Sequence, residues 1–169
     1  PVAAKWGLCA AQAADDKLVV MNTIDGDPNL PAAAALLASN PGGVIEGLMI
    51  AARAVGASEA IICLAKENKE QQNALKSFLD DCHASGLLNG CKIGLAQVQA
   101  KYVAREDTAL LAALEGKPAM SGLTPPMPAE RGFAGRPSLV HSAETFAQIA
   151  AIFRQLAEGK PPVLTRLFA

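Results

Sequence analysis

Short apolar runs alternate along this chain with longer segments in which apolar residues recur at helical spacing. A continuous run rich in Val, Ile and Leu is typical of a strand buried on both faces of a sheet. The sequence predicts such strands at Lys17–Met21, Ala60–Leu64 and Lys92–Val98, and the start of a last one at Val163–Phe168.

The segments between these runs predict helices, because their apolar positions follow a period close to 3.6. Glycines such as Gly56 and Gly86 stand where helices end. The last helix is predicted to begin after Ser142 and to bury Phe146, Ile149, Ala150, Phe153 and Leu156. The other predicted helices are Pro31–Ser39, Val44–Val55, Lys69–Ser85 and Glu106–Glu115.

Strands that alternate with helices of this length imply right-handed crossovers between parallel strands. We therefore predict an α/β fold, a mainly parallel sheet with helices on its faces, in a single domain over residues 1–169. The proline- and glycine-rich residues 117–137 are expected to form an ordered loop.

Composition and charge narrow the class of protein. A net charge of −1 does not indicate the basic surface that binds nucleic acid. No apolar run approaches the roughly 20 residues that span a bilayer, and the first residues lack the plan of a signal peptide. We expect a soluble, cytoplasmic protein without direct membrane insertion.

The cysteines and histidines do not form a metal-binding pattern. Irregular spacing without a C-x-x-C pair favours reduced, structural thiols over metal ligands. His83 and His141 are too isolated to make a zinc site, so we expect no metal in this chain. The four cysteines are Cys9, Cys63, Cys82 and Cys91.

Two acidic turns follow predicted strands, at Asn22–Pro28 and Tyr102–Thr108. In an open parallel sheet, ligands bind outside the carboxyl ends of the strands. The same residue types also satisfy their own backbone in turns and cap helices, without any ligand. From the residues alone, both interpretations stay open.

The order of these features resembles the flavin-binding domain of the flavoprotein subunit of respiratory complex I. That domain also occurs in NAD-dependent formate dehydrogenases and hydrogenases. The turn Asn22–Pro28 is similar to the family's Asn-Ala-Asp-Glu-Gly-Glu-Pro, and Tyr102–Thr108 to its Tyr-Ile-Cys-Gly-Glu-Glu-Thr. Glu144-Thr145 is kept before the last helix, and Pro1–Trp6 resembles Pro-Thr-Gly-Leu-Lys-Trp.

The resemblance implies a Rossmann-like flavin-binding domain that takes a hydride from NADH onto FMN. It implies NAD(H) as substrate, iron–sulfur subunits of a larger complex as partners, and no catalytic side chain, because the flavin carries the chemistry. The cofactor-binding residues that it implies are Lys5, Asn22, Asp25, Asp27, Arg105, Glu106, Asp107, His141 and Ser142. It predicts a ligand between the Asn22–Pro28 turn and the Arg105–Thr108 helix start.

Several positions depart from the family's pattern. Arg105 replaces a glycine, where its guanidinium either fills the space of a flavin ring or meets a phosphate. Ile24 replaces an aspartate, and His141 and Ser142 replace two asparagines. The family's glycine-rich loop before Pro1 and its iron–sulfur domain have no counterpart in these residues. Two functions are therefore expected: a domain passing electrons from NAD(P)H through FMN to an iron–sulfur partner, or a non-catalytic scaffold that lost the flavin.

Overall fold

The computed structural model describes residues 2–25 and 31–163. Its sheet has four strands, all parallel, in the order β3-β2-β1-β4. This arrangement confirms the predicted α/β fold with a parallel sheet. The strands are β1 Leu18–Asn22, β2 Glu59–Ala65, β3 Lys92–Val98 and β4 Ser138–Ser142.

Helices cover both faces of this sheet. Short 3-10 turns at Tyr102–Arg105 and Phe133–Gly135 join some of the elements. The helices are α1 Val2–Ala10, α2 Ala32–Ser39, α3 Pro41–Val55, α4 Lys69–Ala84, α5 Asp107–Leu114 and α6 Ala143–Ala157.

The core has two layers because successive side chains of a strand point to opposite faces. In β1, Val19 and Met21 belong to the layer that also contains buried residues of α1, α2, α3, α4 and α6. Leu18 and Val20 face the other side, where they pack with Leu110 of α5. All four of these β1 residues are fully buried, which is why the strand reads as a continuous apolar run.

Helices α3 and α6 approach each other closely at Gly47. A Cβ atom at Gly47 would lie 1.8 Å from the carbonyl oxygen of Phe146. Helix α3 begins with Pro41 after Asn40, whose side chain accepts a hydrogen bond from Gly43 N–H. It ends at Gly56, whose φ of 77° is the left-handed conformation that glycine adopts without strain.

Strand β4 was not predicted from the sequence. Only Leu139 and Val140 in it are apolar, between Ser138 and His141-Ser142, so its pattern is too short to indicate a strand. Val163 lies outside any strand, and the rest of the predicted strand Val163–Phe168 falls outside the described residues.

One predicted helix face was partly wrong. Phe146, Ile149 and Ala150 of α6 are buried, whereas Phe153 and Leu156 are 51% and 54% exposed. A helix of 15 residues is about 22 Å long, and the five residues of β4 span only about 17 Å. The last turns of α6 therefore extend beyond the strand on which the helix packs.

Within residues 2–25 and 31–163, no single helix has the length and apolar character required to cross a membrane. Helices α2 and α3 taken together have the length and composition of a membrane-spanning segment, but they meet at an angle of 102°. Eight residues of α3 are buried in the core of the domain.

Candidate functional site

The candidate site lies where the strand order changes direction. The chain fills the sheet from β1 through β2 to β3, and then returns to add β4 on the opposite side of β1. The carboxyl ends of β1 and β4 lie side by side, with Asn22 paired with Ser142. Such a switch point is the place where open parallel sheets bind ligands.

Lys5 and Asp107 form an ion pair around the outer side of edge strand β4. The Lys5 ammonium donates to the carboxylate of Asp107, and its Nζ also lies 3.5 Å from the Val140 carbonyl oxygen. The two side chains are 36% and 26% exposed. Helices α1 and α5, which cover opposite faces of the sheet, are thereby joined.

Asn22 connects the two acidic turns. Its amide nitrogen donates to the carbonyl oxygens of Ala104 at 2.8 Å and Arg105 at 3.4 Å. Its Oδ1 accepts a hydrogen bond from Ile24 N–H at 2.9 Å. Because Asn22 is 7% exposed, its carboxamide holds the turn after β3 against the end of β1.

Glu106 and Asp25 cap helices. Glu106 accepts hydrogen bonds from the N–H groups of Thr108 at 3.0 Å and Ala109 at 2.9 Å, at the start of α5. Burial raises the pKa of Glu106, but these bonds and that of the Thr108 hydroxyl outweigh it and hold the pKa below its usual value. Asp25 accepts from Ala33 N–H at 2.9 Å, at the start of α2.

His141 is buried beside these groups and is neutral. The indole Nε1–H of Trp6 donates to its Nε2 at 3.0 Å, and the ring of Phe146 meets it edge-on at 5.9 Å. Burial, followed by the nearby charge of Lys5, lowers the pKa of His141 to about 4. Its neighbour Ser142 caps α6 and accepts from Thr145 N–H at 3.4 Å.

Arg105 is exposed and lies beside the aromatic ring of Tyr102. Its guanidinium carbon lies 5.9 Å from the centre of the Tyr102 ring, within range of a cation–π contact. Tyr102 is itself 76% exposed. The last candidate, Asp27, lies outside the described residues.

The structure thus brings Lys5, Asn22, Glu106 and Asp107 to one edge of the sheet, with His141 behind them. The sequence did not identify Trp6 as the partner of His141. The Lys5-Trp6 pair was visible in the first residues, but no pattern indicated which distant side chain the indole would contact.

These residue types fit a flavin nucleotide: an ammonium and a helix start for a phosphate, and a carboxamide for polar ring edges. In the structure, however, these groups form their hydrogen bonds with other parts of the chain. The cavity between Lys5, Asp107 and Val140 has a volume of about 20 Å³, close to the space of one water molecule. The Lys5 ammonium must therefore leave Asp107 before it can bind a nucleotide phosphate.

A much larger groove lies elsewhere on the described chain. Its volume is about 1180 Å³, and its walls come from α3, α4, the turn after α4, and Phe153 and Arg154 of α6. None of the candidate residues lines it, so the groove is separate from the switch point.

The described residues contain no cluster of three or more His, Cys, Asp or Glu side chains placed to hold a metal ion. All four cysteines are free thiols, with Cys9, Cys63 and Cys82 buried. Burial raises the pKa of the Cys63 thiol to about 12, so it stays protonated.

Comparison with known proteins identifies relatives that match most of the chain. Residues 1–151 match the family model described as the Nuo51 FMN-binding domain. The chain is 34% identical over 160 residues to NADP-reducing hydrogenase subunit HndC of Solidesulfovibrio fructosivorans, covering 90% of this chain and 32% of that protein. It is 31% identical to the NADH-quinone oxidoreductase F subunit of Rhodobacter capsulatus, covering 92% of this chain and 38% of the relative.

A solved structure has the same fold. The crystal structure of an NAD+-reducing NiFe-hydrogenase in the H2-reduced state superposes with a TM-score of 0.83 at 30% sequence identity. The match covers 90% of this chain and 27% of that chain. The chain therefore spans about a third of the length of the relatives that it matches.

Proposed function

Because this chain belongs to the family of the Nuo51 FMN-binding domain, we propose that it is the flavin domain of a redox protein that oxidises NAD(P)H. The observation that carries this proposal is the meeting of Lys5, Asn22, Glu106 and Asp107 at the β1–β4 switch point. The residues 1–169 form one such domain. Iron–sulfur subunits of a larger complex accept its electrons, in keeping with relatives that are hydrogenase and NADH-quinone oxidoreductase subunits.

The chain's own residues bind and orient rather than react. FMN, when bound, supplies the hydride and electron chemistry. Lys5 provides a cation for a phosphate once its ammonium leaves Asp107. Asn22 fixes the distance between the two turns that flank the switch point, because its carboxamide bonds to both of them. His141 is neutral at pH 7 and adds no charge to the site.

A specific observation favours a second candidate, a non-catalytic scaffold in a redox complex. Lys5, Asn22, Asp25, Glu106 and His141 all have hydrogen-bond partners within the chain. Such a set stabilises the fold without any cofactor. In this case Arg105 occupies the place of the family's glycine because no flavin has to approach the backbone there.

Flavin absorbance of the protein purified natively with its complex distinguishes the two functions. We expect a stoichiometric, FMN-type spectrum that NADH or NADPH bleaches under anaerobic conditions. Lys5→Met should reduce the flavin content, whereas Lys76→Met, which removes an exposed cation from α4, should leave it unchanged. A colourless complex that assembles and keeps this subunit supports the scaffold instead.

A further inference from the structure

The Lys5–Asp107 pair joins residues that are 102 positions apart and closes the switch point from its outer side. Both side chains are partly exposed, at 36% and 26%, so solutes can reach the pair from solvent. The small cavity beside it is lined by Leu8, Pro128 and Val140, among others. The space next to the ammonium is thus filled by the chain's own carboxylate.

We propose that Asp107 is an internal competitor for Lys5, which only a ligand carrying a phosphate monoester displaces. The pair thereby selects phosphorylated ligands over the same ligands without phosphate. This inference rests on the proposed function in one respect, because it assumes that the ligand is a nucleotide bound at the β1–β4 switch point.

The exchange is favourable because the two anions differ in charge. A phosphate monoester carries about −1.5 to −2 charges at pH 7 and three acceptor oxygens, compared with one charge on Asp107. An ion pair this exposed contributes little free energy, so opening it costs little. The released carboxylate stays in the first turn of α5, where the helix dipole still stabilises it.

Opening the pair leaves helix α1 in place. The Trp6–His141 hydrogen bond of 3.0 Å continues to hold α1 on β4, and Lys17 Nζ donates to the carbonyl oxygen of Ala10, the last residue of α1, at 2.7 Å. The Lys5 side chain can therefore change partners without movement of the helix. For a ligand without phosphate, nothing replaces the lost carboxylate, and the pair stays closed.

The test compares FMN with riboflavin, which has the same ring system and no phosphate, by titrating both into the chain of residues 1–169. Asp107→Asn should tighten FMN binding about two- to fivefold, the range that an exposed ion pair contributes. Riboflavin binding should not change. Asp80→Asn, which removes an exposed carboxylate from α4, should alter neither.

The direction in which Asp107→Asn changes the affinity for FMN shows whether Asp107 competes for Lys5 or only stabilises helix α1. If the pair only holds α1 in position, Asp107→Asn loosens the helix and FMN binds more weakly or equally well, which overturns the proposal. An equal gain for riboflavin and FMN overturns it too, because the phosphate would then play no part.

A second measurement keeps the inference independent of flavin binding. Inorganic phosphate should protect the Lys5 amine from an acylating reagent, measured by peptide mass spectrometry, and protect it more in Asp107→Asn than in Asp80→Asn. If FMN binds to no variant but phosphate protects Lys5 in this order, the proposed flavin function is wrong, whereas the proposal that Asp107 competes for Lys5 is supported. If phosphate protects Lys5 equally or not at all in both variants, Asp107 is no competitor, whatever FMN does.

Discussion

Trp6 Nε1 donates a 3.0 Å hydrogen bond to His141 Nε2, and this bond requires that nitrogen to be unprotonated. The contact between the first helix and the edge strand therefore depends on the protonation state of a buried histidine. Protonation of His141 would place a charge among buried side chains near Lys5 and would break the bond to the indole. Burial first, and Lys5 second, lower its pKa to about 4.

We expect His141 to destabilise the fold in acid. The folded-state pKa of about 4 lies below the ordinary histidine value of 6.5, so the unfolded chain takes up a proton that the folded chain does not. The contribution of neutral His141 to the free energy of unfolding is complete above about pH 6.5. It is lost as the pH falls to about 4, by at most about 1.4 kcal/mol per pH unit.

Urea unfolding between pH 7.5 and 4 measures this contribution. His141→Gln, which keeps an acceptor for Trp6, should show a flatter loss of unfolding free energy than the unchanged protein. His83→Gln, an exposed site on α4, should follow the unchanged protein. Parallel curves for His141→Gln and the unchanged protein would show that another group causes the acid loss.

The sequence predicted those strands and helices whose local pattern of residues indicates a single kind of structure. Strands β1 and β2 read as apolar runs, and edge strand β3 packs Ile93 and Leu95 against the core. Helix α3 carries its own start and stop at Asn40 and Gly56. Strand β4 was missed because it holds only two apolar residues and its end is polar, with His141 in contact with Trp6 and Ser142 capping α6.

The sequence predicted that the two acidic turns lie at the same edge of the sheet, but it did not predict their contacts. Parallel strands bring their carboxyl ends together, so the two acidic turns had to meet. Which carboxylate Lys5 would reach depends on how α1 passes edge strand β4, and no local pattern encodes that path. The alternative of capping was already visible for Glu106, since helix starts favour acidic residues.

Gly47 allows α3 and α6 to approach each other closely, and we predict that Gly47→Ala destabilises the fold by more than about 3 kcal/mol. The added Cβ would lie 1.8 Å from the Phe146 carbonyl oxygen, an atom of the α6 backbone that cannot turn away. Chemical unfolding followed by circular dichroism measures the loss.

Gly42→Ala is the matched control on the same helix. A Cβ there would lie 4.0 Å from the tip of the Phe78 ring, which is an ordinary contact. Because alanine favours helix over glycine, stability should stay the same or rise by up to about 1 kcal/mol. Equal effects of the two substitutions would mean that α3 and α6 are not packed at this distance.

Asn22 should tolerate even an isosteric change poorly. In Asn22→Asp, a carboxylate oxygen replaces the amide that donates to the Ala104 carbonyl at 2.8 Å, so two acceptors face each other in a buried place. We expect a loss of at least about 2–3 kcal/mol in unfolding free energy at pH 7. Asn73→Asp, the same change on the exposed face of α4, should cost less than about 0.5 kcal/mol. If the two variants unfold alike, Asn22 does not join the turns.

Arg105 decides between the two proposed functions, because it is exposed at the edge of the site, with its guanidinium carbon 5.9 Å from the centre of the Tyr102 ring. Among the described residues, it takes part in none of the ion pairs to Asp or Glu. A guanidinium placed in this way can bind a nucleotide phosphate with two parallel hydrogen bonds. Arg105→Ala should therefore weaken the binding of NADPH, NADH or FMN by about tenfold or more, the scale of a hydrogen bond to a charged group.

Isothermal titration with each nucleotide measures the effect of Arg105→Ala, and Arg53→Ala, an exposed arginine in the last turn of α3, is the control. If Arg105 instead blocks a flavin, Arg105→Gly should tighten FMN binding while Arg105→Ala does not weaken it. Should neither substitution change the affinity for any of the three nucleotides, the ligand does not lie between the Asn22 turn and the start of α5, and the scaffold function is favoured.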